Sequence, residues 1–168
     1  MEQAPGGGAR FMVRLPAHEH LSPETAPVMP PTVPTQKARI LILEDEVMIR
    51  DMMKMVLSRA GHEVLSFENG HQALAHLKKP DSAVDLILSD IKMPGLSGEE
   101  FFSRLRESVP ALAGRVIFCT GDTLEKKTTG LVEASGNPSL SKPFRPQRLL
   151  DVVTAALNRV MPSEESSA

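Results

Sequence analysis

The chain has 168 residues, of which 41% are hydrophobic and 24% are charged, so it can bury one good core. Its formal net charge of −2 gives no electrostatic reason to expect nucleic acid or an anionic membrane as a partner. No apolar run approaches the roughly 20 residues that span a bilayer, and the N-terminus lacks the pattern of a signal peptide. We therefore expect a cytoplasmic protein with neither a membrane nor a nucleic-acid partner.

Residues 1–36 are unlike the remainder of the chain, because seven of its 14 prolines lie here. This composition predicts a disordered tail or linker. Within it, residues 6–16 read Gly-Gly-Gly-Ala-Arg-Phe-Met-Val-Arg-Leu-Pro and resemble the last glycine box and closing strand of the ATP-binding domain of histidine kinases. That resemblance implies the C-terminal end of a hybrid kinase, and the alternative is a tail without structure.

From residue 37 onward, short apolar runs alternate with amphipathic segments. The apolar runs predict strands over 39–43, 63–67, 84–90, 115–120 and 139–141. The segments between them predict helices over 47–60, 71–78, 98–108, 123–134 and 146–160, and the methionines of the first helix are predicted to fill the core. Together these elements predict an α/β fold with a doubly wound five-stranded parallel sheet over 37–160, followed by a disordered tail over 161–168.

Polar side chains stand where four of the predicted strands end. Glu44 and Asp45 follow the first strand, Asp90 ends the third, Thr120 ends the fourth and Lys142 follows the fifth. Because the carboxyl ends of parallel strands meet at one edge of a sheet, we expect these side chains to share a crevice. Three neighbouring carboxylates repel one another unless a cation neutralises them, and an all-oxygen ligand set favours Mg²⁺ over zinc.

A lysine and a threonine beside such a site can bind the oxygens of a transferred phosphoryl group. One carboxylate can then act as nucleophile and form an aspartyl-phosphate. Asp90 is the expected nucleophile, because it ends a buried strand beside the tight turn at Pro94 and Gly95. Each residue alone has an ordinary structural explanation, such as a helix cap or a solvent-facing lysine. Their joint occurrence at four strand ends predicts a site that binds a metal ion and accepts a phosphoryl group.

The segment Asp-Ile-Lys-Met-Pro-Gly-Leu-Ser-Gly that begins at Asp90 resembles the phosphoacceptor segment of response-regulator receiver domains. The acidic pair Glu44-Asp45, the threonine at 120 and the lysine at 142 also lie where that family has its own, and the resemblance extends along the whole regular part of the chain. It implies a flavodoxin-like fold, a phosphoacceptor role for Asp90, a switch role for Thr120 and a phosphoryl contact for Lys142.

The same resemblance implies the ligands of the metal. Asp45, Asp90 and the main-chain carbonyl of Lys92 would hold Mg²⁺, and Glu44 would act largely through water. The peptide bond between Lys142 and the following proline would be cis, against the few-per-cent base rate for such bonds.

Two positions depart from the family pattern, and Glu44 in place of the commoner Asp is the milder change because it keeps the charge. Receiver domains usually carry Tyr or Phe three residues before the lysine, and its rotation couples to the threonine. This chain has Ser139 there, and it contains no tyrosine or tryptophan at all. The resemblance therefore supports the phosphorylation chemistry more firmly than the usual aromatic switch.

The leading hypothesis is a non-enzymatic phosphoacceptor module of a two-component phosphorelay. A histidine kinase or a histidine phosphotransfer protein would donate the phosphoryl group from a phosphohistidine to Asp90, with Mg²⁺. Only eight residues follow Val160, so we expect no DNA-binding unit and an output through protein contacts or through transfer of the phosphoryl group to another histidine. A homodimer is among the arrangements that the sequence leaves open.

Two alternatives belong to other functional classes. A Mg²⁺-dependent phosphohydrolase with an aspartyl-phosphate intermediate would need a second aspartate two residues after the nucleophile, where this chain has Lys92. A receiver-like scaffold that binds partners without accepting phosphate is favoured by Ser139 and by the weak helix predicted over 123–134. The complete set of acidic, threonine and lysine residues argues against the scaffold.

Overall fold

The computed structural model describes residues 37–121 and 126–161, with side chains for 37–121 and 130–161. The tail predicted over 1–36, including the segment that resembles a histidine kinase, lies outside these described residues, as does the C-terminal tail from 162 onward. Within the described ranges, no helix has the length and apolar character needed to cross a membrane.

Five strands and five α-helices alternate along the described residues, as the hydrophobic pattern predicts. The strands are β1 (Arg39–Leu43), β2 (Glu63–Phe67), β3 (Leu86–Asp90), β4 (Val116–Thr120) and β5 (Ser139–Ser141). The helices are α1 (Val47–Arg59), α2 (Gly70–Leu77), α3 (Gly98–Ser108), α4 (Lys126–Ser135) and α5 (Pro146–Val160), with a short 3₁₀-helix over Pro110–Leu112. The predicted start of the fourth helix, at 123, lies outside the described residues.

The five strands form one parallel sheet in the order β2-β1-β3-β4-β5. This is the order of the flavodoxin-like doubly wound sheet, in which the strand order reverses beside β1. The predicted fold class is therefore confirmed. Because every strand runs in the same direction, the carboxyl ends of β1, β3 and β4 are neighbours at one edge, where a ligand crevice is expected.

The strands at the centre of the sheet are apolar along both faces because helices cover both sides. On one face, Leu41 and Leu43 of β1 belong to a core cluster with buried residues of α2 and α3. On the other face, Ile40 and Ile42 belong to a second cluster with buried residues of α1 and α5. Successive residues of β1 thus point into opposite cores, which holds the strand and its carboxyl end in one register.

The buried face of α1 differs from the prediction. Met53 and Leu57 are the buried residues of this helix, whereas Met48 is 81% exposed and Met55 is 48% exposed. Methionines recur all around the first half of this helix, so apolar spacing alone does not identify the inward face. The prediction that the methionines fill the core is wrong for Met48 and Met55.

His62, directly before β2, is a buried histidine whose ring makes no hydrogen bond with the described residues. The residue is 5% exposed, and neither ring nitrogen has a hydrogen-bond partner among the described residues. Burial lowers the pKa of His62 below its usual 6.5, because the imidazolium loses hydration there. Below that pH the unfolded chain binds a proton that the folded chain does not. We therefore expect the free energy of unfolding to decrease as the pH is lowered, by up to about 1.4 kcal/mol for each pH unit.

Urea denaturation of the wild type and of His62→Leu, between about pH 7.5 and pH 5.5, measures the contribution of His62 to the pH dependence of the free energy of unfolding. The difference between the two proteins cancels the titration of other groups, and the variant should lose less stability on acidification. His71→Gln, which changes an exposed histidine, is the matched control and should follow the wild type. A His62→Leu profile parallel to that of the wild type would contradict the prediction.

Candidate metal and phosphoacceptor site

The side chains selected from the sequence all lie at the carboxyl edge of the sheet. Glu44 and Asp45 directly follow β1, Asp90 and Thr120 are the last residues of β3 and β4, and Lys142 directly follows β5. The backbone joins the last two, since the Lys142 amide donates to the Thr120 carbonyl at 2.6 Å. The predicted convergence is therefore present in the folded chain.

Three carboxylates form the acidic part of this site. Oxygen atoms of Glu44, Asp45 and Asp90 lie within 4.8 Å of one another. Glu44 is 1% exposed and Asp90 is 5% exposed, while Asp45 is half-buried. Burial is the largest influence on Glu44 and raises the pKa of that carboxyl, a shift that the nearby Lys142 opposes and the Asp90 charge reinforces.

Lys142 bridges two of the three carboxylates. Its Nζ lies 2.6 Å from Glu44 Oε2 and 2.8 Å from Asp90 Oδ2. Burial by itself would lower the pKa of Lys142, but its hydrogen bonds with Asp90 and Glu44 outweigh burial, so the pKa is raised and the ammonium form is favoured. The lysine therefore supplies one fixed positive charge inside the cluster.

The Thr120 hydroxyl is a buried polar group at the same edge of the sheet. Thr120 is 3% exposed, and its Oγ1 has no hydrogen-bond partner among the described residues. A buried hydroxyl without a partner is unfavourable by about 1–3 kcal/mol, so its retention beside Asp90 suits a group that must bind an incoming oxygen.

The turn after β3 is closed by Asp90 itself. Its Oδ1 accepts the Lys92 amide at 3.1 Å, which leaves the side chain hydrogen-bonded through both oxygens. The role of the Lys92 carbonyl as a metal ligand stays a prediction. The Lys142–Pro143 peptide bond is cis, as predicted from the family resemblance.

Two residues at the site were missed by sequence reasoning. Arg50, on the first turns of α1, donates from Nη1 to the carbonyls of Glu44 at 2.7 Å and Asp45 at 3.1 Å. Gly98 begins α3 against the backbone of Asp90, where a Cβ atom would lie 2.3 Å from the Asp90 carbonyl oxygen. An arginine five residues after an acidic pair is a signal that could have identified Arg50, whereas the close approach at Gly98 depends on tertiary structure.

The donor set fits a hard divalent cation. The cluster offers carboxylate oxygens alone, without histidine or cysteine, which suits Mg²⁺. Three carboxylates and one lysine ammonium leave a formal charge of −2 when all are ionised, and a divalent cation neutralises that remainder. The charge balance and the ligand chemistry therefore both favour a hard divalent cation such as Mg²⁺.

Comparison with known proteins identifies the family. Residues 40–154 match the family model described as the response regulator receiver domain. The chain belongs to the response regulator receiver family. The acidic cluster described above lies at the carboxyl edge of the sheet of this receiver domain.

The relatives of this receiver domain include transcriptional regulators and chemotaxis proteins. The chain is 39% identical to the uncharacterized transcriptional regulatory protein YrkP of Bacillus subtilis over 72% of this chain and 50% of that protein. It is 34% identical to the phosphate regulon transcriptional regulatory protein PhoB of Pseudomonas aeruginosa, over 76% of this chain and 55% of that protein. The chemotaxis response regulator CheY4 of Vibrio cholerae has a similar structure, with a TM-score of 0.64, 30% identity, and coverage of 73% of this chain and 100% of that one.

These relatives contradict the expectation that the protein has no nucleic-acid partner. YrkP and PhoB carry the name of transcriptional regulatory proteins, and the chain spans about half the length of these curated relatives. The expectation was wrong because it was drawn from the net charge and from the residues after the last helix. The charge of a receiver domain gives no information about a partner that contacts another part of a longer protein.

The departure at Ser139 is located at the edge of the sheet. Ser139 is the first residue of β5 and is exposed. It lines an open cavity of about 600 Å³ together with Phe144 and residues of α5. In this receiver domain a small hydroxyl side chain therefore occupies the surface position at which an aromatic ring is usual in the family.

Proposed function

We propose that residues 37–160 form a cytoplasmic receiver module of a two-component system, in which Asp90 accepts a phosphoryl group with the help of Mg²⁺. The observation that carries this proposal is the contact of Lys142 Nζ with Asp90, at 2.8 Å, inside a cluster of three carboxylates. A nucleophilic carboxylate, a fixed positive charge and a divalent-cation site are the parts that phosphoryl transfer to an aspartate requires.

The metal site would be formed by the acidic cluster. Asp45 and Asp90 would bind Mg²⁺ through carboxylate oxygens, the Lys92 carbonyl would supply a further oxygen, and Glu44 would act largely through water. The bound cation would supply positive charge next to the phosphoryl oxygens. That charge lets an anionic carboxylate approach an anionic phosphoryl group.

In the transfer step, an Asp90 carboxylate oxygen forms a bond to phosphorus while the bond from phosphorus to the donor imidazole nitrogen breaks. The imidazole nitrogen keeps the bonding electron pair, so the donor histidine returns to its unphosphorylated form. Lys142 moves its hydrogen bond from Asp90 to the new phosphoryl oxygens. The Thr120 hydroxyl, which lacks a partner in the described residues, donates to another of these oxygens.

The donor is a histidine kinase or a histidine phosphotransfer protein, since a phosphohistidine supplies a good leaving group for attack by a carboxylate. Movement of Thr120 toward the phosphoryl group shifts the conformational populations of the loop that follows β3. The names of YrkP and PhoB support an output that controls transcription when the receiver is part of a longer protein.

The proposal is tested by measuring the mass of the intact protein after incubation with Mg²⁺ and a small acyl phosphate donor. We expect one added phosphoryl group in the wild type, and none in Asp90→Asn or when Mg²⁺ is chelated. Asp51→Asn, which changes an exposed carboxylate on α1, is the matched control and should still form the adduct. An adduct that persists in folded Asp90→Asn would contradict the proposal.

A scaffold that binds partners without phosphate is the second candidate, and the exposed Ser139 at the usual aromatic position favours it. The same mass measurement separates the two candidates. A folded wild-type protein that binds Mg²⁺ but forms no adduct with an acyl phosphate or with a phosphohistidine donor would support the scaffold.

A further inference from the structure

The loop that carries the acidic pair is tied to α1 by one side chain. Arg50 Nη1 donates to the carbonyl oxygens of Glu44, at 2.7 Å, and Asp45, at 3.1 Å. Because these carbonyls belong to consecutive residues, a single guanidinium nitrogen restrains two successive peptide planes. Hydrogen bonds from a charged donor are stronger than neutral ones, and Arg50 is half-buried, which limits competition from water.

Besides the contact of Lys142 Nζ with Glu44 Oε2, at 2.6 Å, few other restraints act on this loop among the described residues. The Glu44 amide donates to the Phe67 carbonyl at 3.1 Å, and the Glu46 amide lies 3.4 Å from Glu44 Oε1. Glu46 is the N-cap residue of α1, yet within the described residues its side chain makes no capping hydrogen bond. Among the described residues, the start of α1 therefore has no side-chain cap, and Arg50 instead restrains the chain just before the helix by donating to the Glu44 and Asp45 carbonyls.

We infer that the guanidinium of Arg50 positions the Glu44 and Asp45 carboxylates, and through them sets the Mg²⁺ affinity of the site. This inference rests on the proposed function. The backbone at 44 and 45 determines where each Cβ atom points, so fixing two peptide planes fixes the origin of both side chains. Arg50 is thus a positioning residue, which holds the backbone of the residues that carry the proposed metal ligands and does not contact the metal itself.

The direction in which removal of Arg50 changes the Mg²⁺ affinity distinguishes a positioning role from a purely electrostatic one. Arg50 carries a positive charge beside a site for a cation, so by Coulomb's law its removal should strengthen Mg²⁺ binding. Loss of positioning should instead weaken binding, because the carboxylates would then be ordered only when the metal binds. Groups that orient metal ligands typically contribute about 10- to 100-fold to metal affinity.

The test is a calorimetric Mg²⁺ titration of the wild type, Arg50→Gln, Arg50→Lys and Lys54→Gln. Lys54→Gln is the matched control, since it removes one positive charge from an exposed position one turn further along α1. We expect Arg50→Gln to bind Mg²⁺ about 10-fold more weakly, and Lys54→Gln to bind as tightly as the wild type or slightly more tightly. Unchanged or tighter binding by folded Arg50→Gln would overturn the inference.

Amide hydrogen exchange in the metal-free proteins gives a readout that does not depend on Mg²⁺. Arg50→Gln should speed exchange at the Glu44 and Glu46 amides and leave the Ile91 amide, which bonds to the Cys119 carbonyl at 3.1 Å, unchanged. If the wild type binds no Mg²⁺, the proposed function fails, and this comparison alone decides the role of Arg50. Equal exchange at the loop amides would then overturn it.

Arg50→Lys keeps the charge but replaces the planar fork with a compact ammonium. It should give loop exchange and Mg²⁺ affinity between those of the wild type and Arg50→Gln. If Arg50→Gln does not fold, Arg50→Lys decides the question. Loop exchange and affinity equal to those of the wild type would show that the guanidinium is not required.

Discussion

Gly98→Ala is expected to destabilise the protein by about 3 kcal/mol and to abolish formation of the phosphoryl adduct. A Cβ atom at this position would lie 2.3 Å from the Asp90 carbonyl oxygen and 2.7 Å from the Ile91 Cα atom. Both are backbone atoms at the end of β3, where Asp90, the proposed phosphoacceptor, lies. No rotation of a side chain can relieve these contacts, so either α3 or the end of β3 must move.

The effect on the site follows from the same contacts. Asp90 already uses both carboxylate oxygens, with the Lys92 amide at 3.1 Å and Lys142 at 2.8 Å. A shift of its backbone would break these bonds and separate its carboxylate from the rest of the acidic cluster. The first turn of α3 cannot simply slide away, because the Gly98 amide donates to the Ile91 carbonyl at 3.0 Å.

Urea denaturation and intact-protein mass measure the two parts of this prediction. Gly114→Ala is the matched control, because no atom beyond the two neighbouring residues in the chain lies within 4 Å of a Cβ built at that position. It should retain stability and adduct formation. If Gly98→Ala were as stable and as readily phosphorylated as Gly114→Ala, α3 would not be packed against the Asp90 backbone as described.

Lys142→Met is expected to lower the free energy of unfolding by about 3 kcal/mol near neutral pH in the absence of Mg²⁺. The substitution leaves the carboxylates of Glu44 and Asp90, 1% and 5% exposed, without their positive partner. Breaking a buried ion pair from one side is strongly unfavourable, because the remaining charge is neither hydrated nor compensated.

This loss of stability should shrink as the pH falls. The pKa of Glu44 is already raised in the wild type, chiefly by burial, and removal of the lysine hydrogen bond raises it further. A carboxyl whose folded-state pKa lies above its unfolded value of 4.5 destabilises the fold at higher pH and is relieved as it takes up a proton. The deficit of Lys142→Met should therefore be largest near pH 7 and should decrease toward pH 4.5.

The double variant Lys142→Met/Glu44→Gln removes one of the two unpaired carboxylates and should recover part of the lost stability. Lys37→Met, at an exposed position, is the control for the loss of one lysine charge. Added Mg²⁺ should also stabilise Lys142→Met more than it stabilises the wild type, because it supplies the missing positive charge. A deficit independent of pH, of Mg²⁺ and of Glu44 would contradict this account of the lysine.

Much of this structure follows from local sequence pattern. The run that ends at Asp90 is apolar on both faces, which is typical of a central parallel strand, and a polar residue at its end marks the carboxyl edge. The same pattern at Thr120 and Lys142, where apolar strands end in polar residues, predicts the crevice. Alternation of strands and helices then restricts the topology to a doubly wound sheet.

The parts that could not be predicted depend on tertiary contacts. The buried face of α1 was misassigned because Met48, Met52, Met53 and Met55 are distributed around the helix, and only the packed structure distinguishes Met53 from its neighbours. Gly98 looked like an ordinary residue at a helix start, since its contact lies across the turn on Asp90. The prediction that the protein has no nucleic-acid partner was wrong for a different reason. The net charge of a receiver domain gives no information about what other parts of a longer protein bind.

The most direct test of the central claim is to locate the phosphoryl group in the chain. Borohydride reduces an aspartyl-phosphate to homoserine, and peptide mass spectrometry then identifies the residue that was phosphorylated. The account predicts homoserine at position 90, formed only when both Mg²⁺ and the phosphoryl donor are present. Homoserine at another aspartate, such as Asp45, or its absence from a folded protein that binds Mg²⁺, would contradict the assignment of Asp90 as the phosphoacceptor.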